Sequence, residues 1–121
     1  MTLGIVGSRT RDSEADKELV REYILKRPPD RIVSGGCGTG ADRFAEELAL
    51  KLGIPIRVHA PDTTAISGRN DMLSRYAARN RKIAANADVL LALVKKPRKG
   101  GAEQTIKLFK KMKPLGQLVL R

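Results

Sequence analysis

Aromatic residues are nearly missing from this sequence: it has no tryptophan, two phenylalanines and two tyrosines, 3% of the chain. Single-stranded nucleic acids are commonly held by stacking their bases on such side chains, so that mode of recognition has little to work with here. Cysteine occurs once, as Cys37, which excludes an internal disulfide. Its place in a glycine-rich loop leaves a nucleophile or a small filler, and the filler is the plainer role. Histidine also occurs once, as His59 in an expected strand. With no Cys/His cluster the sequence offers no metal site, and we read His59 as structural. No apolar run approaches the roughly 20 residues of a membrane span, and the opening residues, MTLGIVGSRT, lack the basic-then-apolar layout of a signal peptide. The expectation is a soluble, cytoplasmic protein that does not meet a membrane.

Acidic residues are scarce in one half only. Residues 1–68 hold ten Lys/Arg against ten Asp/Glu, whereas residues 69–121 hold fourteen against three and so carry the whole formal charge of +11. A basic surface of this kind attracts anionic ligands or polyanions, and it belongs to the second half of the chain.

Against these absences stands a strict alternation of apolar runs and amphipathic stretches. Strands are expected at 3–6, 31–34, 54–60, 88–94 and 117–120, and helices from about Glu14 to Lys26, Gly40 to Leu52, Asn70 to Asn86 and Ala102 to Lys113. Short runs rich in Val, Ile and Leu without in-out alternation are what strands covered on both faces look like. With 121 residues and 41% hydrophobic content, the chain makes one domain, residues 1–121. The predicted fold class is α/β: a Rossmann-like, doubly wound, five-stranded parallel sheet in the order 3-2-1-4-5, with helices on both faces. Ser13 before an acidic first turn, RPPDR at 27–31 and Gly53 punctuate the helices as expected.

In such sheets ligands sit beyond the carboxyl ends of the strands, where the strand order reverses. Every unusual connection falls at that edge: GSRTR at 7–11, SGGCGTGAD at 34–42, PDTTAISGRN at 61–70 and KKPRKGGAEQT at 95–105. The second of these is neither of the familiar phosphate loops. Gly35 and Gly40 have the outer spacing of a Walker A loop, but Ala41-Asp42 replace its Lys-Ser/Thr, and the third glycine of a dinucleotide fingerprint would be needed one residue after Gly40. Glycines at this edge still let backbone N–H groups approach an anion, and each following helix offers the positive end of its dipole.

Individual residues acquire roles accordingly. Gly7, Ser8 and Arg9 follow the first strand, where a hydroxyl and a guanidinium fork suit phosphate oxygens. Ser34, Gly35, Gly36 and Gly38 would line the ligand, with Thr39 adding a hydroxyl. Asp42 is either ordinary first-turn capping or an acceptor for a ribose hydroxyl. Met72, Tyr76, Ile83 and Ala87 trace one helical face, and Asn80 lies inside that stripe. Asn80 is therefore expected to be buried and hydrogen-bonded, either bracing the glycine loops, which we favour, or reaching the ligand. Arg79 beside it points either to the pocket rim or to solvent. Lys95, Lys96, Arg98 and Lys99 would make a basic rim ahead of Gly100, Gly101 and Thr105.

GSR at 7–9, SGGCGTGAD at 34–42, RN at 79–80 with AD at 87–88, and GGAEQTI at 100–106 resemble, in order and over nearly the whole chain, the motifs of the SLOG superfamily. Within it the likeness is to the small YspA-like branch and, more distantly, to the lonely-guy phosphoribohydrolases and the DprA proteins. The resemblance implies a Rossmann-like domain with a pocket for a nucleotide or a nucleotide-derived molecule, and no further cofactor. The phosphoribohydrolases' P-G-G-x-G-T-x-x-E segment appears here as RKGGAEQTI, without the G-T and with Glu103 in a different register. Three functions stay open at this stage: a nucleotide-binding or sensor domain; an enzyme cleaving a nucleotide's N-glycosidic bond, with Asp42 or Glu103 as acid/base and Arg79 or Arg81 on the phosphate; and a nucleic-acid-binding module. Oligomeric state, a homo-oligomer included, is open as well.

Overall fold

The computed structural model describes all 121 residues. Its elements run β1 (Thr2–Gly7), α1 (Glu14–Lys26), β2 (Arg31–Ser34), α2 (Ala41–Leu52), β3 (Ile56–Val58), α3 (Arg69–Asn86), β4 (Val89–Leu93), α4 (Gly101–Met112) and β5 (Gln117–Leu120). The five strands are parallel and ordered β3-β2-β1-β4-β5. This is the doubly wound, Rossmann-like α/β architecture.

The strands explain the layering. β1 is the central strand, registered to β4 Gly4 to Leu90 and Val6 to Ala92, and β4 is buried along its whole length. Successive side chains of a strand point to opposite faces. Leu3 and Ile5 thus enter one core with Val20 and Ile24 of α1 and Phe44 and Leu48 of α2. Val6, Leu90 and Ala92 enter a second core with Ile83 and Ala84 of α3 and Ile106 and Phe109 of α4. The two helical layers therefore sit on opposite faces of one sheet: α1 with α2, and α3 with α4.

One strand is shorter than expected. Residues 54–60 pair as a strand only over Ile56–Val58, because β3 is an edge strand and Pro55 has no N–H to give to a ladder. Its flanks still bond to β2, Ile32 N–H donating to Pro55 O at 2.9 Å and His59 N–H to Ser34 O at 2.7 Å.

Candidate functional site

Strand order reverses between β1 and β4, and a cavity of about 540 Å³ opens beyond their carboxyl ends. Val6, Leu93 and Ile83 make its apolar floor. Its walls come from three βα connections and one helix. The β1–α1 turn supplies Gly7, Ser8, Arg9 and Thr10; the β2–α2 loop supplies Gly35, Cys37, Thr39 and Asp42; α3 supplies Arg79 and Asn80. The β4–α4 segment closes the last side with Lys95, Lys96, Pro97, Arg98 and Lys99, followed by Gly100, Gly101, Glu103 and Thr105 at the start of α4.

Helix starts differ around this edge. α1 is closed by a capping box, in which Ser13 Oγ accepts the Asp16 N–H at 3.1 Å and the Asp16 carboxylate accepts the Ser13 N–H. α2, α3 and α4 each begin at a glycine of positive φ (Gly40, Gly68 and Gly100) with no side-chain cap. At Gly40 the reason is also steric: its φ is +67°, and a Cβ there would lie 2.6 Å from Ser8 O, so only glycine lets the first two loops close on one another. The Gly40 N–H is taken by Asp12 Oδ1 at 2.7 Å, which also accepts from Arg43 Nε at 3.0 Å. Asp12 was not singled out by sequence reasoning, because its partner lies 28 residues away.

A chain of hydrogen bonds ties the two glycine loops together across α3. Arg79 donates from a terminal guanidinium nitrogen to Gly35 O (2.7 Å) and from Nε to Asn80 Oδ1 (2.7 Å). Asn80 Nδ2 then donates to Gln104 Oε1 (2.8 Å) and, at 3.5 Å, to Gly101 O. Asn80, 3% exposed, thus braces the loops and contributes to the cavity wall. Arg79 also lies over the Tyr76 ring, 5.5 Å from its centre.

The two candidate acids sit in unlike settings. Asp42 accepts the Cys37 N–H at 2.9 Å, folding the loop back onto its own helix start. Burial pushes its carboxyl above the usual carboxylate range, against the opposing pull of the Cys37 and Gly35 backbone and of Arg79 and Arg9. Glu103 faces the cavity too, but Arg98 grips both its oxygens, at 2.9 and 3.2 Å. Of the cavity's cations only Arg98 has a carboxylate partner; Arg79 is spent on Gly35 O and Asn80 Oδ1, which leaves Arg9, Lys95, Lys96 and Lys99, and Lys95 donates to Thr10 Oγ1 at 3.0 Å. No group of three His, Cys, Asp or Glu side chains converges in a way that could hold a metal ion.

Several expected residues fall elsewhere. Ser34 is fully buried in the sheet, its Oγ without a partner, and does not line the cavity. Gly36 turns away: its φ is +77°, and a Cβ there would meet Val58 Cγ1 at 2.9 Å, on the β3 side of the loop. A larger residue at Gly36 would strain the backbone before it blocked any ligand, so this glycine serves the turn and not the cavity. Gly38 faces open space. Arg81, one residue beyond the buried Asn80, is exposed on the outer side of α3 and cannot hold a phosphate in the cavity. The long connection at 61–70 is also outside the cavity wall, drawn to the flank of α3 by Arg75, which bonds to Asp62 O, Thr64 O and the Asp71 carboxylate. His59 contributes its backbone to β2, while burial, Arg57 and Lys82 hold its imidazole below the ordinary value.

No protein-family model, curated protein or solved structure matches the chain.

Proposed function

We propose that the cavity binds a nucleotide or nucleotide-derived ligand, with its phosphates on the basic β4–α4 side and a sugar hydroxyl toward Asp42. The observation that carries this reading is a set of four unpaired cations, Arg9, Lys95, Lys96 and Lys99, around an apolar floor at the reversal of strand order. The volume lies within the ~300–1,000 Å³ typical of small-molecule sites. The first N–H groups of α4, uncapped by any side chain, add a further anion-binding element. Asp42 disfavours a phosphate at its own end and suits a hydroxyl donor, which gives the ligand a direction. The sequence resemblance to the SLOG superfamily points to the same ligand class.

One observation favours a second, enzymatic reading. Asp42 is a half-buried carboxylate of raised pKa inside the cavity, the usual preparation of a general acid. Cleavage of an N-glycosidic bond is the reaction it would serve. Glu103, engaged by Arg98, is less available for that role.

A thermal-shift panel of nucleoside mono-, di- and triphosphates and dinucleotides tests the first reading. A ligand at 100 times its dissociation constant adds ~2.7 kcal/mol of stability, and the shift should shrink in a Lys95→Gln, Lys96→Gln, Lys99→Gln variant, most clearly at low salt. Absence of a shift with every nucleotide refutes it. Release of free base from a nucleoside monophosphate, lost in Asp42→Asn, would move the protein to the second reading.

A further inference from the structure

Cations are distributed over the two helical layers in opposite ways. On the α1/α2 face they are matched: Lys17 pairs with Glu47 at 3.4 Å, Arg21 with Glu18 at 3.1 Å, and Arg43 with Asp12 at 3.0 Å and Glu47 at 2.6 Å. Lys26 and Lys51 stand in the last turns of their helices, where the dipole favours a positive charge. On the α3/α4 face, Arg81, Lys82, Lys107, Lys110 and Lys111 are exposed and enter no ion pair. The only acids of these two helices are already engaged, Asp71 by Arg75 and Glu103 by Arg98.

Helix stability does not account for this. The dipole of α4 favours Lys110 and Lys111 in its last turn, but α3 has no basic residue in its last turn, and Arg81 and Lys82 lie before it. Lys107 is followed by lysines at i+3 and i+4, a like-charge arrangement that costs about 0.2–0.5 kcal/mol per pair. The two helices pack side by side on one core, and α4 starts at the cavity edge. Their exposed cations gather in the C-terminal halves of both helices, Lys107 to Lys111 spanning about 6 Å of α4 at 1.5 Å per residue beside Arg81 and Lys82 of α3.

We infer that this α3/α4 face is a second, sequence-independent binding surface for the phosphate backbone of duplex nucleic acid, separate from the cavity. Charge complementarity carries the choice of partner: rows of unpaired lysine and arginine meet regularly spaced phosphates and release counterions. Two features turn the choice away from other polyanions. The only aromatic side chain of α3, Tyr76, is half-buried with Arg79 over its ring, and the only one of α4, Phe109, is fully buried, so this face lacks the stacking platforms that single strands require. The apolar stripe of α4, Ile106 and Phe109, is committed to the core, leaving no amphipathic face to enter a bilayer.

Fluorescence anisotropy with a labelled duplex of arbitrary sequence, read from about 0.05 to 0.2 M salt, tests the inference on the full chain. Binding is expected to weaken steeply with salt and to be indifferent to base sequence. A Lys107→Gln, Lys110→Gln, Lys111→Gln variant should bind at least about tenfold more weakly at the low-salt end, its log–log salt slope smaller by up to ~0.9 for each lysine that meets a phosphate. Arg81→Gln with Lys82→Gln should act in the same sense, and Lys17→Gln with Arg21→Gln on the opposite face should change nothing. Circular dichroism and melting confirm that each variant is folded. The inference is overturned by no binding at the lowest salt, by equal loss in the opposite-face variant, or by tighter binding of a single strand, phosphatidylserine vesicles or polyglutamate than of the duplex. A nucleotide that fills the cavity without displacing the duplex keeps this surface distinct from the proposed ligand site, so either reading can fail while the other stands.

Discussion

The two faces of the sheet are built alike inside and unlike outside. Each buries a phenylalanine completely, Phe44 under α2 and Phe109 under α4, against aliphatic side chains from the one sheet. Outside, α1 and α2 together hold five Lys/Arg against seven Asp/Glu, and α3 and α4 hold eight against two. Burial of apolar area is indifferent to what the opposite side of a helix carries, so the core fixes the fold and leaves the outer surfaces free to diverge. On one face most cations meet a carboxylate, Lys17, Arg21 and Arg43 among them; on the other Arg81, Lys82, Lys107, Lys110 and Lys111 meet none.

The largest expected effect tests the shared part of that comparison. Phe44→Ala and Phe109→Ala should each destabilise the protein by about 3–5 kcal/mol, the range for removing a buried ring and leaving a cavity. Urea titration should find similar midpoint shifts for both, with unchanged slopes. A Phe109→Ala variant that loses much less than Phe44→Ala would mean that the α3/α4 layer is not part of the same cooperative core.

The core was the legible part of this molecule. Runs such as LGIV and VLLALV announce strands covered on both sides, and the order of elements follows from their alternation with amphipathic stretches. Asn80 was legible as a polar residue inside an apolar stripe, because burial forces a partner even when sequence cannot name it. The details of the cavity were not. Whether a glycine faces a ligand depends on the sign of φ at each turn residue, which separates Gly35 on the wall from Gly36 against Val58. The Asp12 bond to Gly40 spans 28 residues, and Arg75 draws the 61–70 connection off the cavity through backbone carbonyls that no residue pattern encodes.

Two first-turn acids sharpen the comparison through pH. Asp16, on the matched face, is pushed up by partial burial, but hydrogen bonds from Arg11 and Ser13 outweigh this and hold it below its ordinary value of 3.8. Its contribution to stability is present above 3.8 and is lost as pH falls through the lower folded value. Asp42, turned into the cavity, has the opposite sign: burial raises it above 3.8, so its contribution is full below 3.8 and is lost as pH rises through the higher folded value. Melting temperatures of Asp16→Asn and Asp42→Asn, taken relative to wild type from about pH 2.5 to 7, should therefore diverge. The Asp16 variant should fall behind as pH rises, and the Asp42 variant should gain. Parallel profiles would show that Asp42 is solvated in solution and remove the burial on which its proposed role as a general acid depends.

The smallest effect goes to the charges themselves. Ala78 is exposed in the middle of α3, with Arg81 and Lys82 three and four residues ahead, so Ala78→Glu supplies the carboxylate that face lacks, in the favourable order of acid before base. Each new pair should add about 0.2–0.5 kcal/mol, reduced slightly by the lower helix propensity of glutamate. Glu47→Ala makes the converse change on the matched face, taking the partner from Lys17 and Arg43, and should cost up to about 1 kcal/mol. Both differences should shrink towards zero near 1 M salt, where the screening length is only about 3 Å. If Ala78→Glu fails to stabilise at low salt, the α3/α4 cations already find neutralisation that the ion-pair pattern does not show, and the contrast between the faces loses its energetic basis. If it stabilises the fold while weakening duplex binding, the bare charges are maintained against stability, which is what a surface kept for a polyanionic partner requires.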